Sequence, residues 1–220
     1  MKLLIVDCDS TLSALEGIDE LARLRGPEVF AQVEEATKLA MDGAIPLDSV
    51  FGRRLELIKP TRDECAAIGQ DYIKHAVVGV QQAMEGARRT GWEILILSGG
   101  FVPCIAPLAE WLHITQPIEA VPLNFHADGS YAGFGEDYPT TRNGGKPTII
   151  QELKAKLNPE RVVMVGDGVS DLETKMVVNL FVGFGAVIAR PKVQEGADRF
   201  IHNWAELAPI LDDVMTAPAR

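Results

Sequence analysis

Short apolar runs alternate with longer amphipathic segments along this chain. Residues 3–6, 93–97, 161–165 and 180–183 are each brief, rich in Leu, Ile and Val, and closed by a turn signal, which predicts buried strands. Residues 77–90, 102–113 and 148–157 carry helical periodicity. Strands that alternate with helices predict a parallel sheet covered on both faces, an α/β core of Rossmann-like type.

Residues 13–75 break the alternation: they contain no convincing strand and several helix signals. Thr61-Arg-Asp-Glu64 has the spacing of a capping box, and Pro27, Pro46 and Pro60 stand where helices start or end. The expected organisation is therefore a core of residues 1–12 and 76–220 carrying a helical cap domain at 13–75. A second departure lies at 125–134, where Asp128-Gly129 between alternating segments predicts a small β-hairpin flap. The tail from Met215 is expected to fray. The first strand opens the chain, so no regulatory domain is expected ahead of it.

The 220 residues are 47% hydrophobic and 24% charged, ordinary for a globular protein, and the formal net charge of -10 argues against nucleic acid or anionic membrane as a partner. No stretch approaches the roughly 20 apolar residues of a bilayer span, and the apolar N-terminal run stops at Asp7, too short for a signal peptide. Cys8, Cys65 and Cys104 are odd in number and widely spaced, which suits free thiols in a cytoplasmic protein rather than a disulfide framework or a zinc site. An acidic protein that handles an anion must gather a few cations locally.

Candidate chemistry gathers where strands end. Asp7-Cys-Asp-Ser-Thr11 follows the first strand, so Asp7 and Asp9, two residues apart, share a side at the carboxyl edge where open sheets bind ligands. That pair alone suits either a hard cation or a turn capped by Asp and Ser side chains. The third predicted strand runs into Gly166-Asp-Gly-Val-Ser-Asp171, bringing Asp167 and Asp171 to the same edge. Two acidic groups of this kind at separate strand ends are costly without a metal, which favours the cation. Ser98-Gly-Gly100 closes another strand and reads as a small anion cradle or as an ordinary turn. Lys146, after two glycines and before a helix, reads as a phosphate clamp or as a solvated surface lysine.

These four pieces, in this order, resemble the haloacid dehalogenase superfamily over nearly the whole chain. Further segments resemble its phosphoserine phosphatase branch: Glu16-Gly-Ile-Asp-Glu20, Ala40-Met-Asp-Gly-Ala-Ile-Pro46, Arg54-Leu-Glu-Leu-Ile58, Ser98-Gly-Gly-Phe101 and Gly129-Ser-Tyr-Ala-Gly-Phe134. The resemblance implies hydrolysis of O-phospho-L-serine to serine and phosphate, the last step of serine biosynthesis, by a monomer or homodimer. It implies that Asp7 is the nucleophile that forms an aspartyl-phosphate, that Asp9 is the acid and base, and that Ser98, Gly99, Gly100 and Lys146 hold the phosphoryl oxygens. By the same resemblance Mg²⁺ is bound by Asp7, by the Asp9 carbonyl and by Asp167, with Ser170 and Asp171 behind them. Glu16 and Arg54 are expected on the substrate ammonium and carboxylate, and Met41 on the closing cap. Leu47 stands where an aromatic is common, Ser170 where Thr or Asn is usual, and Pro147 directly follows the lysine.

Other phosphatase and nucleotide readings fail on spacing. Positions six beyond the cysteines are Ala14, Asp71 and Glu110, so a thiol phosphatase lacks its arginine. Ile96 breaks a nucleophile elbow around Ser98, and there is no Walker lysine loop. Gly183-Phe-Gly185 begins a dinucleotide fingerprint that Ile188 does not complete, so it is read as a strand-end turn. Two rivals stay open: an enzyme acting on another small phosphate ester or passing the phosphoryl group to an alcohol such as homoserine, and a silent binding protein. The second would be free to lose Asp7, Asp9, Lys146 or Asp167, all of which are present.

Overall fold

The computed structural model describes residues 1–216. The chain runs through β1 (Lys2–Val6), α1 (Gly17–Arg23), α2 (Pro27–Met41), α3 (Phe51–Ile58), α4 (Arg62–Lys74), α5 (Val80–Arg89), β2 (Trp92–Phe101), α6 (Val102–Trp111) and β3 (Glu119–Val121). It continues through β4 (Leu123–Phe125), β5 (Tyr131–Phe134), α7 (Gly145–Leu157), β6 (Arg161–Gly166), α8 (Val169–Leu172), β7 (Leu180–Phe184), α9 (Pro191–Gly196), β8 (Arg199–Ile201) and α10 (Leu207–Thr216).

Six strands form one sheet in the order β3-β2-β1-β6-β7-β8, and every neighbouring pair is parallel. Alternation along β1 decides the layers. Leu3 and Ile5 join Leu95, Ile149, Ile150, Met164 and Phe181 on one face. Leu4 and Val6 pack on the other with Met84, Ile105, Leu108, Trp204 and Leu211. The expected α/β architecture is thus present, with β2 extended through Ser98-Gly-Gly to Phe101. Strands β3 and β8, only three residues each, were not readable in advance because such runs give no periodicity.

Residues 13–75 contain α1 to α4 and a short 3₁₀ turn at Leu47–Ser49. The segment leaves and rejoins the core at one neck, where Ser13 bridges Ala76 and Val77 N donates to Leu12 O at 2.9 Å. Its apolar residues Leu21, Val33, Leu55, Cys65 and Ile68 belong to the same cluster as the sheet face below. Helix α4 lies so close to α6 that a Cβ on Gly69 would stand 2.5 Å from Pro107 Cγ. Pro27 occupies the first turn of α2, and the Thr61/Glu64 capping box forms on α4 as read from the sequence.

The hairpin of β4 and β5 is antiparallel, turning at Gly129 with φ +84°, a conformation that glycine adopts without penalty. It braces the helical insertion, since Arg62 N donates to Gly129 O at 2.9 Å and Phe134 packs on Phe51 with ring centroids 5.7 Å apart. Helix α10 holds through Thr216, so Met215 does not begin a frayed tail. Residues 217–220 of that expected tail lie outside the described residues. No helix among the described residues is long and apolar enough to cross a membrane.

Candidate active site

Three adjacent strands deliver the site. Val6 pairs with Ile96 on one side and Val165 on the other, so Asp7, Ser98 and Asp167 all emerge at the same carboxyl edge. Asp7 N donates to Val165 O at 2.9 Å, which pins the first carboxylate to that edge. The chain then turns sharply, with Ser10 in the left-handed region at φ +51°, a position that costs a non-glycine residue free energy and is found at functional turns.

Lys146 is buried between two carboxylates, 2.6 Å from Asp171 Oδ1 and 3.0 Å from Asp7 Oδ1. Only the Asp171 contact has hydrogen-bond geometry; among the described residues Asp7 Oδ1 has no hydrogen-bond partner. Burial pulls the lysine pKa down, but Asp171 and Asp7 more than offset it, and the net shift is upward. Burial and the Asp7 charge push the Asp171 carboxyl up to about 8. Its oxygens nevertheless accept from Lys146 and from Gly168 N at 2.9 Å, and the ion pair is the state this geometry holds. Gly166 makes room for that carboxyl, since a Cβ there would stand 2.2 Å from Asp171 Cγ. Lys146 opens α7, and Pro147 falls in the first turn, where a missing N–H does no harm.

Asp167 accepts from Thr11 Oγ1 at 3.3 Å and from Arg190 Nε at 3.1 Å. Burial, then Asp7, raises its pKa to about 6 against the pull of Arg190. Carboxylate oxygens of Asp7, Asp167 and Asp171 lie within 4.8 Å of one another, all buried. An all-oxygen cluster with one unpartnered oxygen fits a hard divalent cation.

Asp9 is held differently. Its Oδ1 accepts from Tyr72 Oη at 2.5 Å and Gly17 N at 2.6 Å. Burial and then Asp7 push the carboxyl up to about 7, against both hydrogen bonds. Burial and the Asp9 charge raise the Tyr72 phenol as well, so it stays a donor. Ser98 Oγ accepts from Gly100 N at 3.0 Å. A Cβ on Gly100 would stand 2.7 Å from Asp9 Oδ2, so the cradle needs glycine there.

The helical insertion closes the cavity from above. Arg54, 4% exposed, donates to Thr37 Oγ1 at 2.9 Å, and Thr37 donates on to Asp19 at 2.8 Å. Arg54 Nε has no partner among the described residues, and burial lowers the guanidinium to about 10. Glu16 accepts from Ser10 Oγ at 2.7 Å; burial, with Asp9 and Asp167 behind it, raises its pKa well above the usual range. One cavity is lined by Asp7, Asp9, Glu16, Met41, Leu47, Arg54, Ser98, Gly99, Gly100, Lys146 and Ser170. Asp167 and Asp171 lie buried at its floor, so all the sequence-predicted residues are brought together.

The sequence reading passed over Asp19, Thr37, Tyr72, Thr140 and Arg190. Thr37 and Thr140 line the cavity, and Arg190 reaches Asp167, Asp42 at 2.9 Å and Glu16 at 4.0 Å. Each is a single polar residue in an amphipathic or loop segment, where a solvated face is the ordinary expectation, so no local signal marked them.

The haloacid dehalogenase-like hydrolase family matches residues 1–174. Mouse phosphoserine phosphatase is 36% identical over 94% of this chain and 92% of its own. A phosphoserine phosphohydrolase-like protein of Francisella tularensis superposes with a TM-score of 0.86 at 27% identity, covering 96% of this chain and all (100%) of the other. A phosphoserine phosphatase solved as an analogue of its phospho-aspartyl intermediate superposes at 0.81 with 26% identity, covering 95% and 98%. Matched by the family model over residues 1–174 and by a curated relative over 94% of its length, this chain belongs to the haloacid dehalogenase-like hydrolases, within the phosphoserine phosphatase family, and is a phosphatase.

Proposed function

We propose that this phosphatase hydrolyses O-phospho-L-serine in the cytosol, with residues 13–75 acting as the specificity cap. The observation that carries the reading is the buried Arg54, with an unpartnered Nε, in the same cavity as Asp7. A buried guanidinium fork asks for a carboxylate, and the raised Glu16 carboxyl asks for a cation. Phosphoserine carries both, joined to the phosphate. The three buried free thiols suit a reducing compartment.

In this reading Asp7 attacks phosphorus in line and becomes an aspartyl-phosphate. Asp9, with a pKa near 7, gives its proton to the departing serine oxygen and later takes one from the hydrolysing water. Lys146 neutralises the phosphoryl oxygens and fixes Asp7 and Asp171. Ser98 and the backbone N–H groups of Gly99 and Gly100 hold the same oxygens, while Met41 and Leu47 exclude water. The acidic floor fits Mg²⁺, held by the Asp7 and Asp167 carboxylates and the Asp9 carbonyl. Asp171, already taken by Lys146 and Gly168, supports that site from behind together with Ser170. When bound, the ion supplies charge neutralisation for the transferring group.

The test is phosphate release from L-phosphoserine, phosphothreonine, phosphohomoserine and phosphocholine, with Mg²⁺ and with EDTA. Mg²⁺-dependent preference for phosphoserine is expected. A preference for phosphocholine, which has no carboxylate, would overturn the role given to Arg54.

A further inference from the structure

We propose that Tyr72, on α4, is the positioning residue for the Asp9 carboxyl group, holding it in the one orientation from which it can exchange a proton with the reacting oxygen. The proposal rests on the reading of Asp9 as acid and base.

Tyr72 is fully buried, and its hydroxyl and the Gly17 N–H both donate to Asp9 Oδ1, at 2.5 and 2.6 Å. Two donors on one oxygen stop the carboxyl from turning over. The other oxygen, Oδ2, is left beside the Ser98-Gly-Gly cradle, 2.7 Å from where a Gly100 Cβ would be. The two oxygens thus have separate tasks. One is anchored, and the other faces the place where phosphoryl transfer occurs.

Gly17 supplies a second observation. A Cβ there would meet Tyr72 Oη at 2.1 Å and Cζ at 3.0 Å. Gly17 is not among the residues with positive φ, so space for the phenol, not backbone conformation, is what requires glycine. The phenol is itself anchored, because α4 packs on α6 with the Gly69 Cβ position 3.0 Å from the Cys104 carbonyl oxygen. The hydroxyl is therefore fixed relative to the sheet that carries Asp9.

The chemistry is a pair of proton transfers at Oδ2. As the Asp7 oxygen bonds to phosphorus and the ester P–O bond breaks, the Oδ2 proton moves to the leaving oxygen. As water attacks phosphorus and the Asp7–phosphate bond breaks, one water proton returns to Oδ2. Orientation matters most when the leaving group is a poor one, because an alkoxide needs the proton and a nitrophenolate does not.

Tyr72→Phe keeps the ring and removes only the hydroxyl. Rapid-quench kinetics would compare the alkyl phosphate turned over fastest with 4-nitrophenyl phosphate. First-turnover alcohol release should fall roughly ten- to hundredfold with KM within about twofold, while first-turnover nitrophenolate release stays within about threefold. Equal losses on both substrates, or a loss on neither, would overturn the proposal. Asp9→Asn is the parallel control and should show the same contrast more strongly. If Asp9→Asn shows no contrast, the acid–base reading fails and takes the proposal with it. A contrast in Asp9→Asn with none in Tyr72→Phe sinks the Tyr72 role alone. Thermal melting gives a readout apart from turnover: Gly17→Ala should lower Tm more in the wild type than in Tyr72→Phe, and equal losses would contradict the packing argument.

Discussion

The sheet half and the cap half of the active site treat buried charge in opposite ways. On the sheet edge Lys146 stands between Asp171 and Asp7 at 2.6 and 3.0 Å, and Arg190 reaches Asp167 at 3.1 Å. Two cations thus stand in direct ion pairs with three floor carboxylates, which leaves a surplus of negative charge there. In the cap, Arg54 meets a threonine hydroxyl rather than a carboxylate, and burial brings it down to about 10. Asp19 and Glu16 offset only part of that burial, and a buried cation that no carboxylate touches favours a ligand that brings one. Under the proposed function the difference assigns each half a part of the substrate: the sheet half would handle a phosphoryl group of any ester, and the cap half would be completed by the charges of one ester.

The largest effect should come from Asp7→Asn. Turnover is expected to fall about 10⁴-fold or more for every substrate, as for the loss of a nucleophile, while the melting temperature does not drop. Residual activity near wild type would sink the covalent mechanism. Lys146→Ala should slow all esters alike, by about 10²- to 10³-fold as for removal of an electrostatic clamp; a selective loss on phosphoserine would move Lys146 into recognition. Arg54→Ala should break the symmetry between substrates, costing roughly 2–4 kcal/mol in kcat/KM on phosphoserine and much less on an aryl phosphate. Equal losses on both would erase the contrast between the two halves.

The same division explains what was legible in the sequence. Asp7, Ser98 and Asp167 could be placed because each follows an apolar strand, and parallel strands share a carboxyl edge whatever their order. Lys146 was visible only through its glycines and the helix after it, and Glu16 and Arg54 only by resemblance, since an isolated charge on a helix is ordinarily solvated. Tyr72 and Arg190 could not be found at all. Their partners are distant in sequence, 63 and 23 residues away; the Tyr72 contact exists only once the insertion has docked, and the Arg190 contact only once the loop after β7 folds back onto the β6 edge. The strands β3 and β8 were missed for a plainer reason: their three residues borrow their conformation from neighbours β2 and β7.

Metal binding should sharpen the contrast without any turnover. Burial and mutual repulsion push Asp9 to about 7 and Asp167 to about 6, so a dication at the floor relieves the folded state. Saturating Mg²⁺ at about 100 times its Kd adds about 2.7 kcal/mol by mass action, a rise of about 5–10 °C in Tm for a chain of this size. Asp7→Asn should lose most of that rise, whereas Arg54→Ala should keep it. A Tm insensitive to Mg²⁺ in the wild type would remove the ion from the floor.

The smallest expected effect concerns how the cap holds itself together. Arg25, two residues past α1, donates to Ile58 O at 2.7 Å and meets both Glu64 oxygens, at 2.8 and 2.7 Å. That fork ties α1 to the turn between α3 and α4, where Lys59 is left-handed at φ +44°. The Arg25 hydrogen bonds, with help from the Thr61 N–H of the capping box, draw the Glu64 carboxyl down to about 2 against the opposing push of burial. A depressed carboxylate pKa stabilises the fold above the unfolded value and is lost as pH falls through the folded one. Its contribution should therefore be intact above about pH 4.5 and fade toward about pH 2. Both side chains are about one-quarter exposed, so solvent screening reduces the pair to about 1–2 kcal/mol. In chemical denaturation, Arg25→Ala should lie below wild type by that amount from pH 8 to 5, and the two curves should converge as the pH falls below about 4.5. A gap that stays constant into acid would mean that Arg25 acts through its carbonyl contacts and not through Glu64. The cap would then be held, unlike the floor beneath it, without a charge pair.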